Sequence, residues 1–161
     1  MNDSPRRPRI IPAVLLSGLV VGLLDGVEAL IFFSLRGLRP ASIFQFIATS
    51  LLGQQALQGG GKTLAIGILL HFCVATSISI VFVVAAYLVP ALIRYPFVTG
   101  PLFGIVAYFM MTFVVVPFFI PPRSGHLSWP VWPVLVNGIL GHAFLIGLPI
   151  ALITRWSAGR S

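Results

Sequence analysis

Ionisable side chains occupy four positions where they are costly to place. Asp25, His71 and His142 each lie inside a long apolar run, and Glu28 follows Asp25 by one turn. A charge at the centre of a bilayer costs about 2.5–3.5 kcal/mol on insertion scales, so such residues turn inward, find partners and mark candidate sites. A carboxylate beside two imidazoles can bind and release a proton near neutral pH, or hold a small cation. The same three groups, Asp25, His71 and His142, are candidate ligands for a divalent metal. Two histidines from facing helices can also hold haem iron. A hydrogen-bonded network that only orders the helices draws on the same residue types. At the level of sequence the three readings stay open, with Glu28 and Asn137 as further members of the polar layer. No motif calls for a cofactor: there is no H-x-x-x-H pair, the spacing that supports a tight zinc site.

Four elements must carry these residues. Of the 161 residues 58% are hydrophobic and only 8% charged, against about 25% charged in soluble domains. The composition therefore excludes an ordinary soluble globule, and it excludes disorder. Apolar runs at about 10–33, 64–89, 97–120 and 133–154 are long enough to cross a bilayer core, which takes around 20 residues. The expected fold is all-α: a polytopic membrane protein with four transmembrane helices forming a single domain over 10–161, preceded by a basic arm at 1–9. The first run outlasts a signal peptide's apolar region, is interrupted by Asp25 and Glu28, and has no small-x-small cleavage site. It is read as a retained helix. Pro133 suits a first helical turn. Pro149 predicts a kink inside the fourth span.

Between the first two spans, the segment from Pro40 to Gly53 is too short to cross. Its apolar residues at 43, 44, 47 and 51 follow helical spacing, with Gln45, Thr49 and Ser50 elsewhere on the wheel. It is expected to be a short amphipathic or re-entrant helix, lying in the interface or dipping into the bundle. Pro121 to His126 reads as a loop, with His126 solvated. Trp129, Trp132, Tyr95 and Trp156 fall where interfacial aromatic belts are expected.

Net charge is +7, but the basic residues sit singly between apolar runs, apart from Arg6, Arg7 and Arg9. That pattern marks topology and lipid headgroups, not nucleic acid. With both termini on one side, that side holds Arg6, Arg7, Arg9, Arg94, Arg155 and Arg160. The other holds Arg36, Arg39, Lys62 and Arg123. The N-terminal cluster beside the first span predicts cytoplasmic termini. Ala56 to Thr63, with Gly59-Gly60-Gly61-Lys62-Thr63, nearly matches a phosphate-binding loop. That loop needs a strand before it and a soluble helix after it, so no nucleotide is predicted, and the run is read as a flexible glycine turn. The single cysteine, Cys73, is expected to be a small buried hydrophobe. No G-x-S-x-G elbow occurs, and no catalytic residue is assigned.

At about 1.5 Å per residue, Asp25, His71 and His142 each fall roughly 10–13 Å from one end of their spans, in one layer. Tyr108 and Thr112 reach similar heights, and Glu28 and Asn137 lie nearer the surface. Small residues four apart, such as Gly18-Gly22-Gly26 and Gly100-Gly104, and the Gly67 and Ala75 that flank His71 on its stripe, let membrane helices approach closely. The polar residues therefore face the interior. The stripes suit contact with a second copy equally well. Four spans are few for a solitary transporter, so a homo-oligomer or a partner membrane subunit is expected.

The acidic residue late in the first span, the Phe32-Phe33-x-Leu35-Arg36-Gly37 exit, the Phe44-Gln45 to Gly53 helix and His71 early in the second span carry a resemblance. The pattern resembles small bacterial inner-membrane proteins known only as domains of unknown function. From Gly67 through Gly138 to His142 it is distantly similar to the YagU-like family. The resemblance implies a multi-pass protein of the bacterial inner membrane and no established chemistry.

Overall fold

The computed structural model describes residues 7–120 and 129–159. The expected loop with Arg123 and His126, and the charges Arg6 and Arg160, lie outside the described residues. Those described form helices and turns with no strand. Four helices are long and apolar enough to cross a membrane: α1 (Ile10–Leu35), α3 (Gly60–Leu88), α4 (Pro96–Phe119) and α5 (Trp132–Ala158). The shorter α2 (Pro40–Leu52) lies between α1 and α3. The protein is a polytopic helical membrane bundle, as the hydropathy pattern predicts.

The ends of these helices follow from local chemistry. Helix α1 stops at Gly37, whose φ of +90° suits glycine. Leu38 N–H donates to Phe33 O at 3.1 Å and Gly37 N–H to Ser34 O at 3.0 Å, the paired bonds of a Schellman cap. The Phe-Phe-x-Leu-Arg-Gly exit is thus a helix stop. Pro40 opens α2 and Gly53 closes it at φ +73°. Gln54–Gln58 form a 3-10 turn. The glycine run is not a flexible turn: Gly60, Gly61 and Lys62 are the first turn of α3, so that helix begins four residues before the apolar run does.

Two turns are wider than α-helical. Met111–Val115 in α4 and His142–Gly147 in α5 are π-helical. Pro117 and Pro149 follow them by two residues. Proline offers no N–H to the carbonyl four residues back, here Phe113 or Leu145, and its ring presses on that carbonyl. A π turn relieves both faults by shifting the bonding register. The kink expected at Pro149 takes this form.

Helix α1 packs against α3 and α5, and α5 packs against α4. The glycine stripes serve these internal contacts. A Cβ on Gly18 would meet Thr76, and one on Gly22 would strike the Phe72 ring. A Cβ on Gly104 would overlap the His142 carbonyl, and one on Gly147 the Gly100 carbonyl. Toward the end that carries Arg7 and Arg155, Phe82, Ile146, Ile150 and Ala151 form a common core, and Phe82 meets Phe103 of α4 edge-on at 5.0 Å. Arg7 lies over Tyr87 at 5.0 Å and Arg155 donates to Arg94 O at 3.4 Å. Arg7, Arg94 and Arg155, three of the basic residues assigned to one side of the membrane, therefore share one end. Tyr95 and Trp156 mark that end, and Trp129 and Trp132 the other, all exposed.

One expectation about sidedness fails. Cys73 is exposed on α3, not buried. In α2 the buried residues are Phe44, Gln45, Ala48 and Thr49, while Phe46 and Leu51 are exposed. Apolar side chains facing lipid incur no hydration cost, whereas polar ones need protein partners. Gln45 Nε2 accordingly donates to Gly60 O at 3.0 Å. Gly67 lets the Phe44 backbone approach α3.

Candidate functional site

His71 is anchored from two directions. It projects from α3 toward the glycine face of α1, where a Cβ on Gly26 would sit 3.2 Å from its Nε2. Phe44 and Phe72 meet the imidazole edge-on at 5.5 and 5.6 Å, and the residue is 8% exposed. Its Nε2 lies 2.8 Å from Gly22 O. A carbonyl oxygen only accepts, so Nε2 carries hydrogen. This assignment fixes the other nitrogen. In the neutral ring Nδ1 is a bare acceptor, and it faces Asp25 Oδ2 at 4.0 Å. Two acceptors face each other there unless a proton or another positive charge joins them.

Across from this pair, His142 stands in the π turn of α5. Its ring meets Tyr108 of α4 edge-on at 5.2 Å. The contact depends on glycine at 104 and 138: a Cβ on Gly138 would collide with the Tyr108 ring. Tyr108 is 5% exposed, and its hydroxyl is buried without a hydrogen-bond partner among the described residues. Asp25, His71, Tyr108, Thr112 and His142 line one cavity of about 400 Å³. The rest of its lining is almost wholly apolar, drawn from all five helices. Helix α3 and the second half of α4 form its two sides, and α2 closes it with Phe46, Ile47 and Ser50.

Counted from the observed helix ends, Asp25 lies ten residues before Leu35, His71 eleven after Gly60 and His142 ten after Trp132. Each is thus about 15–17 Å along its helix. The common layer is deeper than the sequence suggests, because the helices continue past the apolar runs.

Glu28 and Asn137 stand apart. Asn137 Nδ2 donates to Glu28 Oε1 at 2.6 Å, tying α5 to α1. Neither residue lines the cavity. The five candidates therefore divide into three that share the cavity and two that clamp helices beside it. Tyr108 and Thr112, noted in the sequence only for their height, belong with the first group. Among the described residues, no three His, Cys, Asp or Glu side chains gather closely enough to hold a metal ion.

Comparisons with protein-family models, with curated proteins and with solved structures return no match. A fold alone does not assign a function, so the site's own chemistry has to carry it.

Proposed function

We propose that this membrane protein binds one proton or small cation at the Asp25–His71 pair, with His142 across the cavity, in the service of transport or sensing. The supporting observation is the commitment of His71 Nε2 to Gly22 O at 2.8 Å, which leaves Nδ1 and a carboxylate facing each other at 4.0 Å. A single positive charge completes that arrangement. Most of the lining is apolar, so the charge is held in low dielectric, where electrostatic interactions are strong. The structural role belongs to the other pair, Glu28 and Asn137, which already satisfy each other.

The proposal sets the protein in the bacterial inner membrane with both termini cytoplasmic, in keeping with its basic N-terminal arm and with its resemblance to small inner-membrane proteins. It acts as a homo-oligomer or beside a partner membrane subunit. The contact uses surfaces other than the glycine stripes, which are taken up within the chain. Arg39→Cys and Arg94→Cys, each in a Cys73→Ala background, test the orientation. A membrane-impermeant maleimide added to intact cells should label position 39 and spare position 94, and the reverse pattern overturns it.

Infrared titration of the purified protein tests the site. A protonated-carboxyl band that appears on acidification and is lost in Asp25→Asn supports the reading. The reading fails if no band assignable to Asp25 changes with pH.

A further inference from the structure

We infer that the cavity between α3 and α4 binds hydrophobic organic cations, with Asp25 as counter-charge; this rests on the cation-site reading above and names its substrate class. The cavity, at about 400 Å³, falls within the range of small-molecule sites. Its sides are Leu70, Val74 and Ile78 of α3 and Met111, Val115 and Phe119 of α4. These would cover an apolar body. At the floor, Asp25 is the one acidic residue in the lining among the described residues, and none of these is Lys or Arg. Its side chain is one-quarter exposed. Tyr108, Phe46 and Phe119 add aromatic rings to the lining, and aromatic faces attract cations. The Tyr108 hydroxyl, without a partner among the described residues, provides an acceptor beside them.

Charge decides between ligand classes. A fatty acid would place a second anion beside Asp25, and a neutral chain would leave the carboxylate uncompensated. A cation with an apolar body satisfies both floor and walls. Access is lateral. Helices α3 and α4 meet at Phe82 and Phe103 but pack little elsewhere along their length, and the lining residues Leu70, Val74 and Ile78 of α3 and Met111 and Val115 of α4 are apolar and half-buried. A ligand partitioned into the bilayer could enter between them.

Protons compete for the same place. The groups facing Asp25 are Glu28 on its own helix, His71 from α3, Tyr108 from α4 and His142 from α5, while α2 contributes no titratable side chain to the cavity. When His71 holds a proton on both nitrogens it neutralises Asp25 itself. The organic cation then loses its counter-charge, so binding exchanges one positive charge for another.

The test uses two ions of matched shape and opposite charge, tetraphenylphosphonium and tetraphenylborate, with the full chain in neutral detergent. The phosphonium should bind saturably, at least about tenfold more tightly than the borate, a difference of about 1.4 kcal/mol. Acidification should weaken it, as should Asp25→Asn. Equal affinity for the two ions, or unchanged affinity in a folded Asp25→Asn, overturns the inference. Should that variant fail to fold, Ile78→Trp fills the cavity from the α3 side. It should abolish phosphonium binding while leaving the Asp25 infrared band; retained binding overturns the inference. If the phosphonium does not bind but Asp25 still titrates, the inference falls and the proton site stands. If Asp25 does not titrate either, both fall.

Discussion

Replacing Gly104 by alanine tests how α4 and α5 set the site. A Cβ there would overlap the His142 carbonyl oxygen and lie 2.8 Å from the Ala143 Cα. Both obstacles are backbone, so no rotamer change relieves them and the helices must part. Overpacking costs typically about 1–3 kcal/mol, and rigid neighbours place this case at the upper end. The helix-propensity gain of alanine over glycine returns up to about 1 kcal/mol. The net loss is about 2 kcal/mol, or roughly 4–8 °C in midpoint for a chain of this size. Gly141→Ala, on the facing helix α5 beside His142, is the matched control. Its Cβ would meet nothing nearer than Glu28 Oε2 at 3.8 Å, an ordinary contact, so the midpoint should hold or rise. Thermal unfolding in neutral detergent, followed by circular dichroism, reads both. Equal midpoints for the two variants would refute the close-approach reasoning.

Asn137→Ala should cost about 1.5–3 kcal/mol, because it leaves the Glu28 carboxylate without its donor. In a double-mutant cycle with Glu28→Gln the two losses should fall short of adding, whereas strict additivity would show that the pair does not couple. Gln45→Leu removes the bond to Gly60 O and should cost about 1 kcal/mol; faster amide exchange confined to α2 and the start of α3 is the expected sign, and unchanged exchange there counts against the inward polar face. A spin label on native Cys73 should show the high oxygen and low nickel-chelate accessibility of a lipid-facing position. An immobilised label shielded from both would contradict its exposure on α3.

Much of the fold was legible because a bilayer demands long apolar runs, and four of them stand out. Their bounds slipped where Lys62 and Arg155 ended the apolar run but not the helical hydrogen bonding, which continues from Gly60 and on to Ala158. The common layer of Asp25, His71 and His142 could be counted from residue spacing, since helical rise is fixed. Their sharing of one cavity could not, because it depends on α3 and α4 standing apart. Pro149 announced irregularity but not its form, which is set by where the freed carbonyl finds a donor. The helical spacing of α2 was legible but its inward face was not, because the rule for a helix in water, where apolar residues are buried, does not hold in a bilayer. In lipid it is Gln45 and Thr49 that need the protein. The same exchange of solvents puts Cys73 outside. Asp25 and Glu28 are neighbours on one helix, yet only Asp25 reaches the cavity, a division decided by Asn137 on a helix more than a hundred residues away.

The protonation of His71 is the most direct measurement of all. With the ring nitrogens labelled with 15N, nuclear magnetic resonance should show Nε2 protonated at every pH, bonded to Gly22 O. Nδ1 should be the nitrogen that gains and loses its proton, in a titration that changes on Asp25→Asn. A neutral ring protonated at Nδ1 with a bare Nε2, or a titration indifferent to Asp25, would contradict the proposed site.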